Sequence, residues 1–392
     1  MSACCSLLYC DSYDYEKVHA AIEKSIQNLG GLDRYITPGE RVLLKPNLLM
    51  KKKPEEATTT HPSFVKALAQ ILMEHGATVV IGDSPGGPFT SGLLNGVYKA
   101  TGMSTLAQET GALLNSNFNS CQMENPNGLI MKRLTMTDML NDVDKVICVA
   151  KLKTHGMMTF TGATKNMFGM VPGITKSEYH LNIPDYDHFS DMLIDVCICS
   201  NPVLSFIDGI VGMEGHGPSA GTPKAVNVVM ASESPYHLDQ VACHIIRLST
   251  DDVPMLRRLE ARGMISELSE IELLGDPIDK FIMPTFEIVK AKSPLSLHDS
   301  DLPGFIKKFA AKHMQSRPVI QYADCTGCAI CQEACPAKIV DMVEMPQKVD
   351  SKNQRKAVIA YEDCIRCYCC QELCPQKAIT IYKPTIVKLM RL

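Results

Sequence analysis

Two cysteine runs near the end of the chain have a spacing that points to metal chemistry. Cys325, Cys328, Cys331 and Cys335 follow C-x2-C-x2-C-x3-C-P, closing on Pro336. Cys364, Cys367, Cys370 and Cys374 repeat the pattern 39 residues later, closing on Pro375. The x2 steps let three thiolates wrap one [4Fe–4S] cubane, and the x3 step with its proline sends the fourth to a neighbouring cluster. The spacing therefore predicts two [4Fe–4S] clusters. One takes Cys325, Cys328, Cys331 and Cys374; the other takes Cys364, Cys367, Cys370 and Cys335. Cys369 interrupts the second run, but only Cys370 keeps its register. Cys369 is thus expected to be a non-ligand facing the core or the cluster surroundings. Nine of the 17 cysteines fall after residue 320. The other eight sit mostly in apolar runs, where a free thiol packs as a small hydrophobe.

A second group of reactive side chains gathers at the ends of β-branched runs. Lys45 and Asn47 follow Val42-Leu-Leu, and Asp83 and Ser84 follow Val79-Val-Ile-Gly. Lys151, Lys153 and His155 follow Val146–Ala150 at intervals of two. If the strand stays extended through them, all three project from one face. Thr161, Lys165 and Asn166 come next, in a run of glycines and hydroxyls. Ammonium groups beside exposed backbone amides make a cradle for a carboxylate or phosphate. Asp208, Glu214 and His216 stand in another glycine-rich loop. They are candidates for proton transfer or, with Asp83, for a divalent metal. Lys151, Lys153, His155, Lys165, Asp208 and Glu214 are the catalytic candidates. Lys45, Asn47, Asp83, Ser84, Thr161 and Asn166 are the substrate-binding candidates. His180 and His188, which lack such context, are taken as surface residues. No Walker A order and no GxGxxG after a strand is present, so nucleotide, nicotinamide and flavin signatures are missing.

The elements that must position these groups read as α/β, with a large, mainly parallel sheet followed by a small α+β module. Strands are predicted at Ser6–Tyr9, Arg41–Lys45, Thr78–Gly82, Lys145–Ala150, Val203–Asp208 and Ala225–Met230. Helices are predicted at Tyr15–Leu29, Pro62–His75, Gly92–Thr110, His188–Cys199, Tyr236–Leu248 and Pro254–Arg262. In open sheets of this kind, ligands bind beyond the carboxyl ends of the strands. The polar clusters all emerge on that edge. Residues 1–290 form the crevice domain, 291–317 a helical connector with a helix at Leu302–Met314, and 318–392 the cluster module. Between Cys335 and Cys364 the alternating sequence predicts a β-hairpin.

Apolar residues make up 45% and charged residues 21% of the 392, with a net charge of −4. That balance supports a sizeable core and gives no basic field for nucleic acid. The N-terminus lacks a secretory pattern and no apolar run is long enough to span a bilayer. A cytoplasmic location follows as the expectation, and the many thiols suit a reducing, anaerobic cell.

The motifs KPN, GDSPGG, KLKTHGMMTFTGATKNMFG and DGIVGMEGHGP together resemble the domain of unknown function 362 family. Its members are often fused to a two-cluster bacterial-type ferredoxin module. The resemblance covers roughly residues 1–290 and 318–380 and implies the layout above, but no reaction. The expected function is iron–sulfur electron transfer, as a ferredoxin-coupled reductase acting on a small anionic substrate. The alternative is an electron-transfer subunit or binding module serving a separate enzyme. Either reading expects an external low-potential partner of ferredoxin or flavodoxin type.

Overall fold

A computed structural model describes residues 3–289, 316–345 and 355–382. Eleven strands precede the cluster module: β1 (Cys4–Tyr9), β2 (Arg41–Pro46), β3 (Thr78–Ile81), β4 (Leu113–Leu114), β5 (Ser120–Glu124), β6 (Arg133–Thr137), β7 (Lys145–His155), β8 (Thr159–Thr161), β9 (Leu204–Glu214), β10 (Thr222–Ser232) and β11 (Glu272–Gly275). Nine of them make one sheet in the order β11-β1-β10-β9-β7-β2-β3-β4, with β8 folded back on β7. β10 runs antiparallel to both neighbours, while β9, β7, β2, β3 and β4 are mutually parallel. The expected α/β fold with a mainly parallel sheet is what forms. β7 sits at its centre, buried on both faces after its first residue, as a parallel core strand must be.

Helices cover both faces. On one side, Tyr15–Asn28 buries Val18, Ala21, Ile22, Ser25 and Ile26, a stripe at helical spacing, and packs with Pro62–Glu74. On the other lie Tyr186–Ser200, Pro235–Ile245 and Pro254–Ala261. The predicted helix Gly92–Thr110 is two helices, Ser91–Ala100 and Met103–Thr110, because Gly102 takes φ +81° between them. Strands β4, β8 and β11 were not foreseen, nor were the elements that follow. The antiparallel pair β5–β6 lies off the main sheet, and Gly173–Asn182 is a helix.

The cluster module contributes β12 (Arg317–Ile320), β13 (Val340–Glu344), β14 (Arg355–Ile359) and β15 (Ile379–Tyr382). β12 pairs with β15, and β13 pairs antiparallel with β14, the predicted hairpin. The helix expected at Leu302–Met314 lies outside the described residues. The module is not tethered loosely. Its Tyr368 and Ile381 are buried within the core of the large domain, and Tyr186 donates its hydroxyl hydrogen to Arg366 O at 3.2 Å.

Candidate functional site

The cysteines gather as two groups. Cys325, Cys328, Cys331 and Cys374 face one hollow of about 350 Å³, walled otherwise by Ile320 and Met342. Burial and the neighbouring Cys374, Cys325 and Cys328 push the Cys331 thiol up to about 11. Thiols crowded in this way ionise together only around a cationic centre, which an iron–sulfur cluster supplies. Cys370 is likewise pushed up by burial and by Cys367, Cys364, Cys335 and Cys331, and Cys364 by burial, Cys367 and Cys335. Each group therefore includes the fourth cysteine of the other motif. The Lys356 ammonium, fully buried under the first group, donates to Cys325 O. Among the described residues no three His, Cys, Asp or Glu side chains converge to hold a single metal ion.

A cleft of about 690 Å³ opens between the sheet edge and the cluster module. Lys45 and Asn47 from the end of β2, Asp83 and Ser84 from the end of β3, and Lys165 and Asn166 after β8 all line it. The module closes it with Cys369, Glu372 and Leu373. Gly86 abuts Leu373, and a Cβ at Gly169 would overlap Asp83 Oδ1 and Lys45 Nζ. Lys45 Nζ lies 2.8 Å from Asp83 Oδ1 and donates to Asn166 Oδ1 at 2.8 Å, so these three form one buried unit. Among the described residues, no carboxylate lies within ion-pair distance of the Lys165 ammonium. It sits 5.7 Å over the Phe168 ring, and burial lowers its pKa.

β7 stays extended through His155, yet its three basic residues meet different partners. Lys151 Nζ pairs with Asp208 Oδ2 at 2.9 Å, and Tyr13 OH bridges the two, accepting from Lys151 at 2.7 Å and donating to Asp208 at 2.8 Å. Lys153 donates to Asn47 Oδ1 and Thr58 O, both at 2.7 Å, and burial holds its pKa well below the usual lysine range. His155 Nε2 lies 2.9 Å from Glu372 Oε1 of the module. His155 Nδ1 accepts the amides of Met157 and Met158, so the ring proton belongs on Nε2, facing the carboxylate. Burial alone would raise Glu372, but His155, Lys165 and His180 outweigh it and hold the carboxyl well below its usual range.

Lys151, Lys153 and His155 lie apart from the cleft lining, and so do three further candidates. Asp208 is committed to Lys151; Glu214 faces Lys224 at 3.7 Å and accepts Glu287 N at 2.9 Å; Thr161 is buried opposite Lys153 in the β7–β8 pair. Asp83, Asp208 and Glu214 each face a different lysine and do not converge as a metal site. His180 is not a surface residue. It is 4% exposed, stacks on Phe189 at 4.3 Å and lines the cleft. Lys176, one helical turn before it, lines the cleft as well. Their i, i+4 spacing was the signal in the sequence.

Half-buried His61 and buried His180, alongside His155, set a pH dependence. Burial pulls His61 down to about 4 and His180 down to about 3. Both are neutral in the folded chain, whereas the unfolded chain takes up protons near pH 6.5. Their stabilisation is present above about pH 6.5 and is lost as pH falls toward 4, at roughly 2–3 kcal/mol per pH unit near pH 5. Anaerobic urea unfolding should show a lower midpoint at pH 5.5 than at pH 7.5. Equal midpoints would contradict the burial of these rings.

The fold and the site define an α/β crevice domain joined to an iron–sulfur module. Residues 42–244 match the domain of unknown function (DUF362), and residues 308–378 match the 4Fe-4S dicluster domain. The chain belongs to the DUF362 family. It is 33% identical over 313 residues, 80% of its own length and 94% of the relative's, to the thylakoid-associated protein sll1697 of Synechocystis sp.. The lactate racemase apoprotein from Thermoanaerobacterium thermosaccharolyticum aligns over 62% of this chain and 57% of its own at 13% identity with a TM-score of 0.40, too loose to bear on function. Iron–sulfur electron transfer is the function that the 4Fe-4S domain supports. Among the described residues no helix is long and apolar enough to cross a membrane.

Proposed function

We propose that the chain is a reductase in which residues 318–392 hold two [4Fe–4S] clusters and residues 1–290 grip a small anionic substrate. When bound, the clusters supply single electrons at low potential, delivered to them by an external ferredoxin- or flavodoxin-type donor. One observation carries the reading. The helix Cys369–Glu372, which contains the proposed ligand Cys370, is also a wall of the cleft. Lys165 and Lys176, neither paired with a carboxylate among the described residues, line the cleft and would draw the anion into it. The buried His155–Glu372 pair ties the end of β7 to the module's wall of the cleft, which Glu372 reaches. Lys153 steadies Asn47 at the rim. Lys151 and Asp208 support β7 from below. The expected cytoplasmic, reducing setting belongs to this reading too.

The test is anaerobic reconstitution, reduction with dithionite and removal of the excess. Low-mass and protein fractions of a cell extract are then added separately. Reoxidation by the low-mass fraction is expected. Reoxidation by the protein fraction alone would make the chain an electron-transfer module for a separate enzyme.

A further inference from the structure

We propose that Ser84 and Lys176, beside the N-terminus of the helix Gly173–Asn182, with His180 from its last turn, form the seat for an oxyanion group, a carboxylate or phosphoryl, of the cleft's ligand. This rests on the reading of the cleft as the substrate site and says how the substrate is held.

Buried polar atoms without partners are uncommon, because each one costs the solvation it gave up. Four belong to residues lining this cleft; Asp83 Oδ1 and Glu372 Oε1 have Lys45 and His155 beside them, which leaves two donors. Ser84 Oγ, in a residue 1% exposed, and His180 Nδ1 have no hydrogen-bond partner among the described residues. Both can donate a hydrogen, the ring through its Nδ1–H tautomer, and both point to a missing acceptor. Lys176 lies between them. Among the described residues its Nζ reaches the carbonyls of Ser84 and Pro85 and lies 6.0 Å over the Phe168 ring, no carboxylate pairs with it, and burial brings it down to about 7. An arriving anion would supply the charge partner it lacks.

The helix adds the fourth element. Its N-cap is Pro172, no side chain caps it, and its first turn holds no acidic residue. The orphan amides of such a terminus favour an anion. Gly173 presses so closely on Gly87 that a Cβ would overlap the Gly87 carbonyl oxygen, which draws the helix start against the 82–87 loop and brings Ser84 within reach of the same space. The facing acidic groups are already satisfied. Asp83 pairs with Lys45 and accepts Leu48 N at 2.8 Å, and Glu372 faces His155. The remaining acceptor demand in the cleft is that of an incoming oxyanion.

The probes are inorganic phosphate and acetate, titrated calorimetrically into the reconstituted full chain. Saturable binding of at least one is expected. Lys176→Met should weaken it by about tenfold, and Ser84→Ala and His180→Phe by smaller factors, since charge-assisted hydrogen bonds are the stronger ones. Phosphate alone binding would assign a phosphorylated ligand; acetate binding as well would assign a carboxylate. Ser84→Ala removes one buried atom and guards against a variant that fails to fold. Anion binding lost in the variants, with no small molecule reoxidising the chain, would keep the seat and remove the reductase. Reoxidation by a small molecule, with anion binding unchanged in all three variants, would remove the seat and keep the reductase. Absence of binding by both probes would also overturn the seat.

Discussion

Replacing Cys370 with serine is expected to halve the iron held by the chain, from about eight to about four atoms. Cys369→Ala should leave it unchanged. The two cysteines are adjacent and both buried, so burial does not separate them. Position does. Cys370 keeps in the second motif the place that Cys331 holds in the first, whereas Cys369 lines the cleft. A cubane that loses one thiolate ligand is exposed to exchange and loss. Iron analysis with electron paramagnetic resonance of the reduced chain reads both variants. Full iron in Cys370→Ser together with loss in Cys369→Ala would reverse the assignment.

Lys151→Met is expected to destabilise the fold by about 3–5 kcal/mol, the usual cost of leaving one member of a buried ion pair uncompensated. Lys151 and Asp208 are 1% and 0% exposed at their side chains. Methionine keeps most of the volume but strands the Asp208 carboxylate with only Tyr13 and the His61 and Ile210 amides as donors. Adding Asp208→Asn should recover a large part of the loss, because the two changes share one interaction and do not add. Urea unfolding of the three chains measures this. A loss below about 1 kcal/mol in the single variant would show that the pair does not support the fold, and would return Lys151 to the chemistry.

The sequence made some of this plain and hid the rest for identifiable reasons. The 4Fe-4S module was legible because the spacing of its eight proposed ligand cysteines is itself the constraint that a cubane imposes. The strand ends were legible because β-branched runs stop at polar, glycine-rich turns, which is how Lys45, Asn47, Asp83 and Ser84 came to be placed on one edge. Register was not legible. Lys151 stands directly opposite Asp208 in the β7–β9 pair, and no local pattern says which parallel strands are neighbours. Lys176 and His180 were missed because Pro172 and Gly173 read as a turn, whereas proline occupies the N-cap of a helix there. Glu372 was missed because it belongs to another module. Its meeting with His155 follows from docking that buries Tyr368 and Ile381 in the large core, and a one-dimensional pattern does not carry that.

The central claim is that electrons leave the module through the cysteine group beside the cleft, and variants lacking one or the other group test it most directly. A Cys328→Ser chain, altered at the exposed cysteine of the first group, should still be reoxidised by the low-mass oxidant after dithionite reduction. A Cys370→Ser chain should be reoxidised no faster than in buffer alone. Equal reoxidation of the two chains, or faster reoxidation of Cys370→Ser, would contradict the account.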